Sequence, residues 1–321
     1  MNDALLIFYL RPGRRKAQTV ATAEALSLLQ DLQATAPAGG PLSVKGGLFW
    51  VSLPWDALET ALPRLPRLGY TYAVDVLEPV SERSSSFDRA KDAQEQPVRW
   101  HHKLYRLAHV YKEDVQAMRE SAPDRRTFLL ETSEGTIRPV RGYRGDGRPS
   151  SRRGLPVCDA RMLVNLVAAG SGTSLLDPFA GIGGIVIEAL ASGCRVTSVD
   201  CDPALQTGLT HLGAQHAVAD ARHLPWSAET FDAVATEPPY HEEAKPMVIQ
   251  SLHEMYRVLK TGGHLAILCA AGQADGLRHE GISLGLRWYL DSSINRKGLD
   301  VVVLAGQKPC AYNFPNTTST V

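Results

Sequence analysis

The chain has 321 residues, of which 44% are hydrophobic and 21% are charged, and its formal net charge is zero. This balance excludes a disordered polypeptide and favours two globular domains over one. The sequence has no apolar run of about 18 residues, and its first basic cluster follows the first apolar stretch, the reverse of a secretory signal. We therefore expect a soluble, cytoplasmic protein with no membrane-spanning segment.

Charge is unevenly distributed along the chain. Residues 1-160 contain 23 Lys and Arg against 19 Asp and Glu, and residues 161-321 contain 11 against 15, so the halves carry +4 and −4. The front half is therefore the better candidate for contact with an anion. Five cysteines without a CxxC pair, and no clustered histidines, favour reduced thiols and predict no bound metal.

The first eighty residues alternate between strand and helix patterns. The pattern predicts a strand over 5-10, a helix over 17-33, a hairpin over 42-53, a helix over 55-68 interrupted by prolines, and a strand over 70-77. This β-α-β-β-α-β order is typical of the ferredoxin-like fold. We predict a smaller N-terminal α+β domain over residues 1-80.

Residues 81-140 form a less regular segment. A polar loop over 81-98 precedes a strand over 104-110, a helix over 113-120 and strands over 127-131 and 136-138, the last ended by Pro139. A degenerate RNA-binding module is one interpretation of this segment.

An arginine-rich linker follows over residues 141-158. It contains Arg144, Arg148, Arg152 and Arg153, interleaved with glycine and with Tyr143. Such a stretch can follow a phosphate backbone and stack a base on the tyrosine. A solvated linker between domains is the equal alternative, and composition does not decide between them.

A βαβ unit begins after a helix over 160-169. It comprises a strand over 174-176, a glycine-rich turn, a helix over 185-192 and a strand over 195-199 that ends at Asp200. This is the first unit of a doubly wound sheet, whose ligand crevice lies at the carboxyl ends of the strands. Asp200 is placed to accept hydrogen bonds from ribose hydroxyls.

The identity of the ligand follows from the turn. A nicotinamide dinucleotide is disfavoured, because Val186 replaces the third glycine of GxGxxG and Asp177 would lie beside a pyrophosphate. An acid there suits a cationic sulfonium with an amino group, so S-adenosylmethionine (SAM) fits better. After a third strand, Asp220 would bond the adenine amine and the Ala221 backbone a ring nitrogen.

The remaining pattern completes an α/β domain over residues 159-310. A fourth strand over 231-235 ends in EPPY and is followed by a helix over 246-259, a turn at 261-263 and a strand over 264-270. An antiparallel pair over 286-292 and 300-306 closes the sheet, and the loop between them carries Arg296, either a phosphate contact or plain surface charge. Residues 311-321 are expected to be a disordered tail.

The sequence resembles the class I SAM-dependent methyltransferases in a series of motifs, DPFAGIGG, IEA, VDCDP, ADA and EPPY. Through GRPSSRR and the helix at 160-166 it is similar to the THUMP-associated tRNA guanosine N2-methyltransferases, over about residues 140-308. The resemblance implies a Rossmann-like, mostly parallel sheet with a closing antiparallel hairpin, SAM as cofactor and tRNA as partner. It implies a cofactor site of Asp177, Phe179, Gly181, Gly183, Asp200, Asp220 and Ala221.

The same resemblance makes EPPY the catalytic corner. An exocyclic amine is a poor nucleophile, and acceptors at the Pro238 carbonyl and the Glu237 carboxylate can turn its lone pair toward the methyl group. Tyr240 would stack on the base, and Pro239 helps to set the geometry. The family usually has Asp or Asn in place of Glu237, so either the pocket is built for Glu, the substrate differs, or catalysis is impaired.

The sequence therefore predicts a SAM-dependent RNA N-methyltransferase, acting on guanosine N2 in tRNA. Two alternatives stay open, a DNA adenine N6-methyltransferase and a catalytically weak protein that binds SAM and RNA. A small-molecule methyltransferase would leave the arginine-rich linker unexplained. Oligomeric state cannot be inferred from the sequence.

Overall fold

The computed structural model describes residues 3–14, 16–37, 47–79, 98–100, 103–113, 127–132, 134–141, 154–296 and 298–310. These residues form one five-stranded sheet, one seven-stranded sheet and a two-stranded hairpin. No helix among them is both long and apolar enough to cross a membrane.

The first sheet is antiparallel throughout, in the order β2-β1-β3-β5-β4. Its strands are β1 (Asp3–Leu10), β2 (Leu48–Pro54), β3 (Thr71–Pro79), β4 (Val98–Trp100) and β5 (Lys103–Lys112). Helix α1 (Gln18–Leu28) follows β1, and the short α2 (Leu58–Ala61) lies between the 3-10 turns Trp55–Ala57 and Leu62–Arg67. The predicted helix over 55-68 is thus broken, because its prolines disrupt the α-helical hydrogen bonds.

A ferredoxin-like N-terminal domain fits this sheet but stays a prediction. β1 lies between β2 and β3 and is antiparallel to both, as that fold requires, while the strand predicted at 42-44 falls outside the described residues. The strand predicted over 104-110 corresponds to β5 and pairs with β3, so the first sheet continues beyond residue 80. The division of the chain into domains likewise stays a prediction.

The hairpin consists of β6 (Thr127–Glu131) and β7 (Ile137–Arg141). The expectation that Pro139 ends the last strand is wrong, since Pro139 pairs with Leu129 inside β7. Both strands of a two-stranded ribbon are edge strands, where a proline is tolerated at a position whose N–H would face away from the partner strand. The helix predicted over 113-120 lies almost entirely outside the described residues.

The second sheet confirms the predicted Rossmann-like architecture. Its order is β10-β9-β8-β11-β12-β14-β13; the first five strands are parallel, and β14 is antiparallel to both of its neighbours, β12 and β13. The strands are β8 (Ser174–Asp177), β9 (Arg195–Asp200), β10 (Gln215–Val218), β11 (Phe231–Thr236), β12 (Leu259–Ala270), β13 (Arg287–Arg296) and β14 (Leu299–Gln307). The helices are α3 (Val157–Leu166), α4 (Gly184–Ala191), α5 (Gln206–His211), α6 (Lys245–Val258) and α7 (Ala271–Leu284).

Two parts of this sheet domain differ from the prediction. The turn expected at 261-263 lies inside β12, because the Gly262 N–H and the Gly263 carbonyl both bond to the backbone of Lys308. Helix α7 was not predicted, since its glycines are poor helix formers. Tertiary packing explains it: a Cβ on Gly281 would lie 2.3 Å from the Trp288 ring, so the glycine lets the helix approach β13.

The two sheets share one continuous hydrophobic core that includes residues of β1, α1, α3 and β8. The backbones approach closely at Gly69, where a Cβ would lie 2.1 Å from the Cys158 carbonyl oxygen. Asn165 of α3 also donates to the buried carboxylate of Glu24 at 2.8 Å. Helix α1 and the residues just before β3 therefore pack directly against α3, the first helix of the sheet domain.

Candidate active site

A glycine turn connects β8 to α4 at the carboxyl edge of the second sheet. Gly181 and Gly183 have positive φ values of 51° and 77°, which residues with a side chain rarely adopt. Apart from its two neighbours in the chain, no atom of the described structure lies within 4 Å of a Cβ built on Gly181, so the backbone here is open to a ligand. Asp200, at the end of β9, accepts from the Gly181 N–H at 2.9 Å and from the Asp202 N–H at 3.0 Å.

Asp177, at the end of β8, is buried with 1% of its surface exposed. Its Oδ1 accepts from the Thr236 hydroxyl at 2.8 Å and from the Phe179 N–H at 3.3 Å. Burial raises the pKa of Asp177 to about 7, although these two donors oppose the rise. A nearby cation would favour the ionised form, so the turn suits a positively charged ligand such as SAM.

Asp220 and Ala221 follow β10, beside the end of β9, where the Ala219 N–H donates to the Asp200 carbonyl. Both oxygens of Asp220 are already bound by Arg222, from its backbone N–H, its Nε and its Nη2. The hydrogen bond from the Arg222 side chain holds the pKa of Asp220 at about 2. An adenine amine bonded to Asp220 would share that carboxylate with Arg222, a partner that the sequence prediction did not include.

The corner after β11 holds a compact polar cluster. Glu237 Oε1 accepts from the Tyr240 hydroxyl and from Arg296 Nη1, the latter at 2.8 Å, and the same Nη1 lies 2.9 Å from the Tyr240 oxygen. Burial and the neighbouring Glu237 raise the pKa of Tyr240, so its hydroxyl stays protonated. Stacking of a base on Tyr240 stays a prediction, and the hydroxyl group serves to hold Glu237.

The interpretation of Arg296 as a phosphate contact or surface charge is wrong. Only 14% of its side chain is exposed, and its Nε lies 3.0 Å from Oδ2 of the fully buried Asp159 in α3. Burial opposes charge on Arg296, but Asp159 and Glu237 outweigh it and raise the pKa. The sequence showed no local signal for this pairing, because Arg296 and its partners are far apart along the chain.

The carbonyl groups of the two prolines in the corner differ in their hydrogen bonding. The Pro239 carbonyl accepts from Gln273 Nε2 at 2.7 Å, and Gln273 itself is buried at the start of α7. The Pro238 carbonyl has no hydrogen-bond donor within the described part of the chain. Gln273, like Asp159, is a residue that sequence reasoning missed.

Some predicted features lie elsewhere. The four arginines assigned to RNA binding, Arg144, Arg148, Arg152 and Arg153, all fall outside the described residues. Within the ranges that the structure describes, no group of three or more His, Cys, Asp or Glu could hold a metal ion.

Comparison with known proteins places this site in a family. A family model described as a methyltransferase domain matches residues 176–267. The tRNA (guanine(10)-N2)-dimethyltransferase of Pyrococcus abyssi is 34% identical over 152 residues, which are 41% of this chain and 45% of that protein. The chain thus spans less than half the length of that relative.

Two further comparisons cover more of the matched protein. A probable tRNA (guanine(10)-N2)-dimethyltransferase from Methanothermococcus thermolithotrophicus is 30% identical over 122 residues, covering 33% of this chain and 75% of that protein. The crystal structure of TrmN from Thermus thermophilus is similar in fold, with a TM-score of 0.50 at 16% identity, and covers 95% of this chain and 99% of that one. With the glycine turn and the acidic strand ends described above, these matches show that the chain belongs to the class I SAM-dependent methyltransferases, in the group of the tRNA guanosine N2-methyltransferases.

Proposed function

We propose that the protein transfers a methyl group from SAM to N2 of a guanosine in tRNA. The hydrogen bond between Thr236 and Asp177, 2.8 Å long, carries this proposal. It joins the last residue of β11, directly before the acceptor corner, to the last residue of β8, on the cofactor side. The two predicted halves of a methyl-transfer site therefore lie side by side at one edge of the sheet.

On the cofactor side, the chain supplies an acid at the end of each of two neighbouring strands. Asp200 still has acceptor capacity beyond its two backbone bonds, because a carboxylate has about four lone-pair positions. Asp177 would face the positive charge, with Phe179 and Gly181 beside it. SAM, when bound, supplies an electrophilic methyl carbon on a sulfonium.

On the acceptor side, the free carbonyl of Pro238 and the carboxylate of Glu237 would bond the two protons of the base amine. This turns the nitrogen lone pair toward the methyl carbon. With SAM bound, the nitrogen would take the methyl group as the sulfonium leaves as a neutral thioether, and Glu237 would be an available acceptor for the proton that the nitrogen then loses. Orientation of this kind can contribute roughly 7–11 kcal/mol in favourable cases.

The contacts of Glu237 favour one of the three explanations for its presence. Its carboxylate is bound by Arg296 and by Tyr240, so the surroundings fit the length of a glutamate. An impaired site would not require a buried arginine to hold the acid. We therefore favour a pocket built for Glu over a defective one.

Two observations support tRNA as the substrate: the names of the related proteins and the positive charge of the arginine-rich linker. The names of the matched Pyrococcus and Methanothermococcus proteins specify guanine 10 of tRNA and dimethylation, and we propose the same acceptor for this chain. The arginine-rich linker would hold phosphates; replacing Arg148, Arg152 and Arg153 together should then flatten the salt dependence of RNA affinity. Such a substrate also fits the cytoplasmic location that the sequence predicts.

The test is methyl transfer from labelled SAM to a tRNA transcript, followed by mass spectrometry of the nucleosides. We expect N2-methylguanosine, and its loss when guanosine 10 of the transcript is replaced by adenosine. Duplex DNA of equal length is the matched substrate control. The Glu237→Ala variant controls for a contaminating enzyme.

The alternatives give different results in the same assay. Transfer to adenine in DNA would support the DNA methyltransferase alternative. Binding of SAM without transfer to any nucleic acid would support a weak binding protein. Methylation of tRNA at a nucleotide other than guanosine would support the proposed reaction type and contradict guanosine as the acceptor.

A further inference from the structure

A buried chain of ion pairs links the acceptor corner to the N-terminal sheet. Arg296 contacts Glu237 through Nη1 and Asp159 through Nε. Asp159 also accepts from Arg14 Nη2, at 2.8 and 3.0 Å, and from the Tyr70 hydroxyl at 2.8 Å. Arg14 ends the 3-10 turn that follows β1, and Tyr70 directly precedes β3, so both donors lie in segments that flank strands of the N-terminal sheet.

The charges in this chain balance. Arg14 and Arg296 carry two positive charges, and Asp159 and Glu237 carry two negative charges. Both arginine side chains are only 14% exposed, and the Asp159 side chain is fully buried. Removing one member leaves an uncompensated charge in a poorly solvated place, which is strongly unfavourable. The four groups therefore depend on one another although the outer two do not touch.

The geometry at Arg296 transmits orientation as well as charge. A guanidinium is a rigid plane, and here different nitrogens of that plane bind two different acids. A shift of Asp159 would therefore rotate the group that holds Glu237. Among the described residues, the hydrogen bonds to Glu237 both end on Oε1, which leaves Oε2 for the base amine.

We propose that Arg296 is a positioning residue for the nucleobase that accepts the methyl group. Through Asp159, the orientation of the Arg296 guanidinium depends on the docked N-terminal sheet. The proposal rests on the proposed function and adds a structural requirement to it. It also explains the glutamate. An aspartate at 237 would withdraw the carboxylate by about 1.5 Å, beyond the present contact with Arg296.

The first test compares Arg296→Met and Arg14→Met with Arg278→Met as the control. Arg278 also pairs with an acid of β13, Asp291, but lies outside this chain of contacts. We expect kcat for tRNA methylation to fall about a hundredfold for Arg296→Met and about tenfold for Arg14→Met. The KM for SAM should stay within about twofold, because neither arginine contacts the cofactor side. Unchanged kcat in both variants, as for the control, would overturn the proposal.

A second test does not depend on activity. The unfolding equilibrium is measured for Arg14→Met, Glu237→Gln and the double variant. Each substitution changes the unfolding equilibrium constant by some factor. If Asp159 and Arg296 couple the two sites, the factor for the double variant should differ from the product of the two single factors by at least about threefold. A factor for the double variant equal to the product of the two single factors would overturn the proposal. This test remains available even if Arg296→Met fails to fold.

The two tests separate this proposal from the proposed function. If the wild-type protein methylates no tRNA, the function fails, and the unfolding measurement alone decides whether the residues are coupled. If the wild type is active and the arginine variants match the control, the function stands and the positioning role fails.

Discussion

The two sides of the site are held in different ways. On the cofactor side, Asp220 is bound by Arg222 two residues later, and Asp200 by Asp202 and by Gly181, 19 residues earlier. On the acceptor side, Glu237 is bound by Arg296, which is 59 residues away, and the Pro239 carbonyl by a residue 34 positions away. Apart from the bond between Thr236 and Asp177, which spans 59 residues, the cofactor side is built from nearby contacts. On the acceptor side Glu237 has one nearby partner, Tyr240, but its charged partner and the partner of the Pro239 carbonyl come from distant segments.

This difference has a functional consequence. Local contacts form wherever the βαβ unit forms, so the cofactor side should tolerate changes elsewhere in the molecule. The acceptor corner depends on α3, α7, β13 and the N-terminal sheet at once. Changes at the corner should therefore affect methyl transfer strongly while leaving SAM binding intact, and changes at the strand ends should do the reverse.

The largest effect should come from shortening the acid of the corner. In Glu237→Asp the carboxylate moves by about 1.5 Å, which should lower kcat about a hundredfold. The dissociation constant for SAM should not change. Single-turnover methylation and calorimetry measure the two quantities. Equal or higher activity would mean that the site is not built for glutamate.

Loss of Asp200, the proposed ribose acceptor, should weaken SAM binding and leave the acceptor corner unchanged. Asp200→Ala removes charge-assisted hydrogen bonds, and a loss of about 2 kcal/mol weakens SAM binding about thirtyfold. At saturating SAM, kcat should recover to near the wild-type value. Asp275→Ala, at an acid on α7 that is 94% exposed, is the matched control. Unaltered SAM affinity in Asp200→Ala would place the ribose elsewhere.

The pH dependence of SAM binding should report Asp177. Burial raises its pKa from 3.8 to about 7, so the carboxyl is mostly neutral below that pH. If the cationic ligand prefers the ionised form, affinity should fall about tenfold from about pH 8 to about pH 6. The Asp177→Asn variant should lose this dependence. A flat profile in the wild type would separate Asp177 from the ligand charge.

The raised pKa of Asp177 also makes the free energy of unfolding depend on pH. The folded protein binds the Asp177 proton more tightly than the unfolded chain does. The resulting stabilisation is present in full below pH 3.8 and is lost as the pH rises through about 7. Chemical unfolding of the free protein across this window should therefore show a decline in stability that Asp177→Asn reduces.

The smallest effect should come from freeing Asp220. Arg222→Met removes the side chain that binds both oxygens of this acid. If Asp220 bonds the adenine amine, SAM affinity should improve by less than about fivefold, because the pair is exposed to solvent. Weaker binding would show instead that Arg222 contributes to the cofactor site. Calorimetry at fixed salt distinguishes the two.

Sequence patterns located the second sheet well because its signals are local. The end of β8 at Asp177, the glycine turn and the end of β9 at Asp200 follow from hydrophobic runs and from glycines that the turn requires. Helix α7 escaped prediction because its stability comes from packing against Trp288 and not from propensity. β5 was assigned to another segment because pairing with β3 crosses a long stretch of chain.

The sequence by itself determined the succession of strands in the sheet domain, the glycine turn after β8, the acids at or just after three strand ends and the stiff corner at 237-240, because each of these is set by residues close in the chain. Only the tertiary structure decided what those groups touch. It showed that Arg296 is a buried partner of Glu237, that Asp159 connects this pair to Arg14, and that Gln273 binds the corner's second carbonyl. Burial and ion pairing depend on segments that meet only in the folded chain, and no local pattern encodes them.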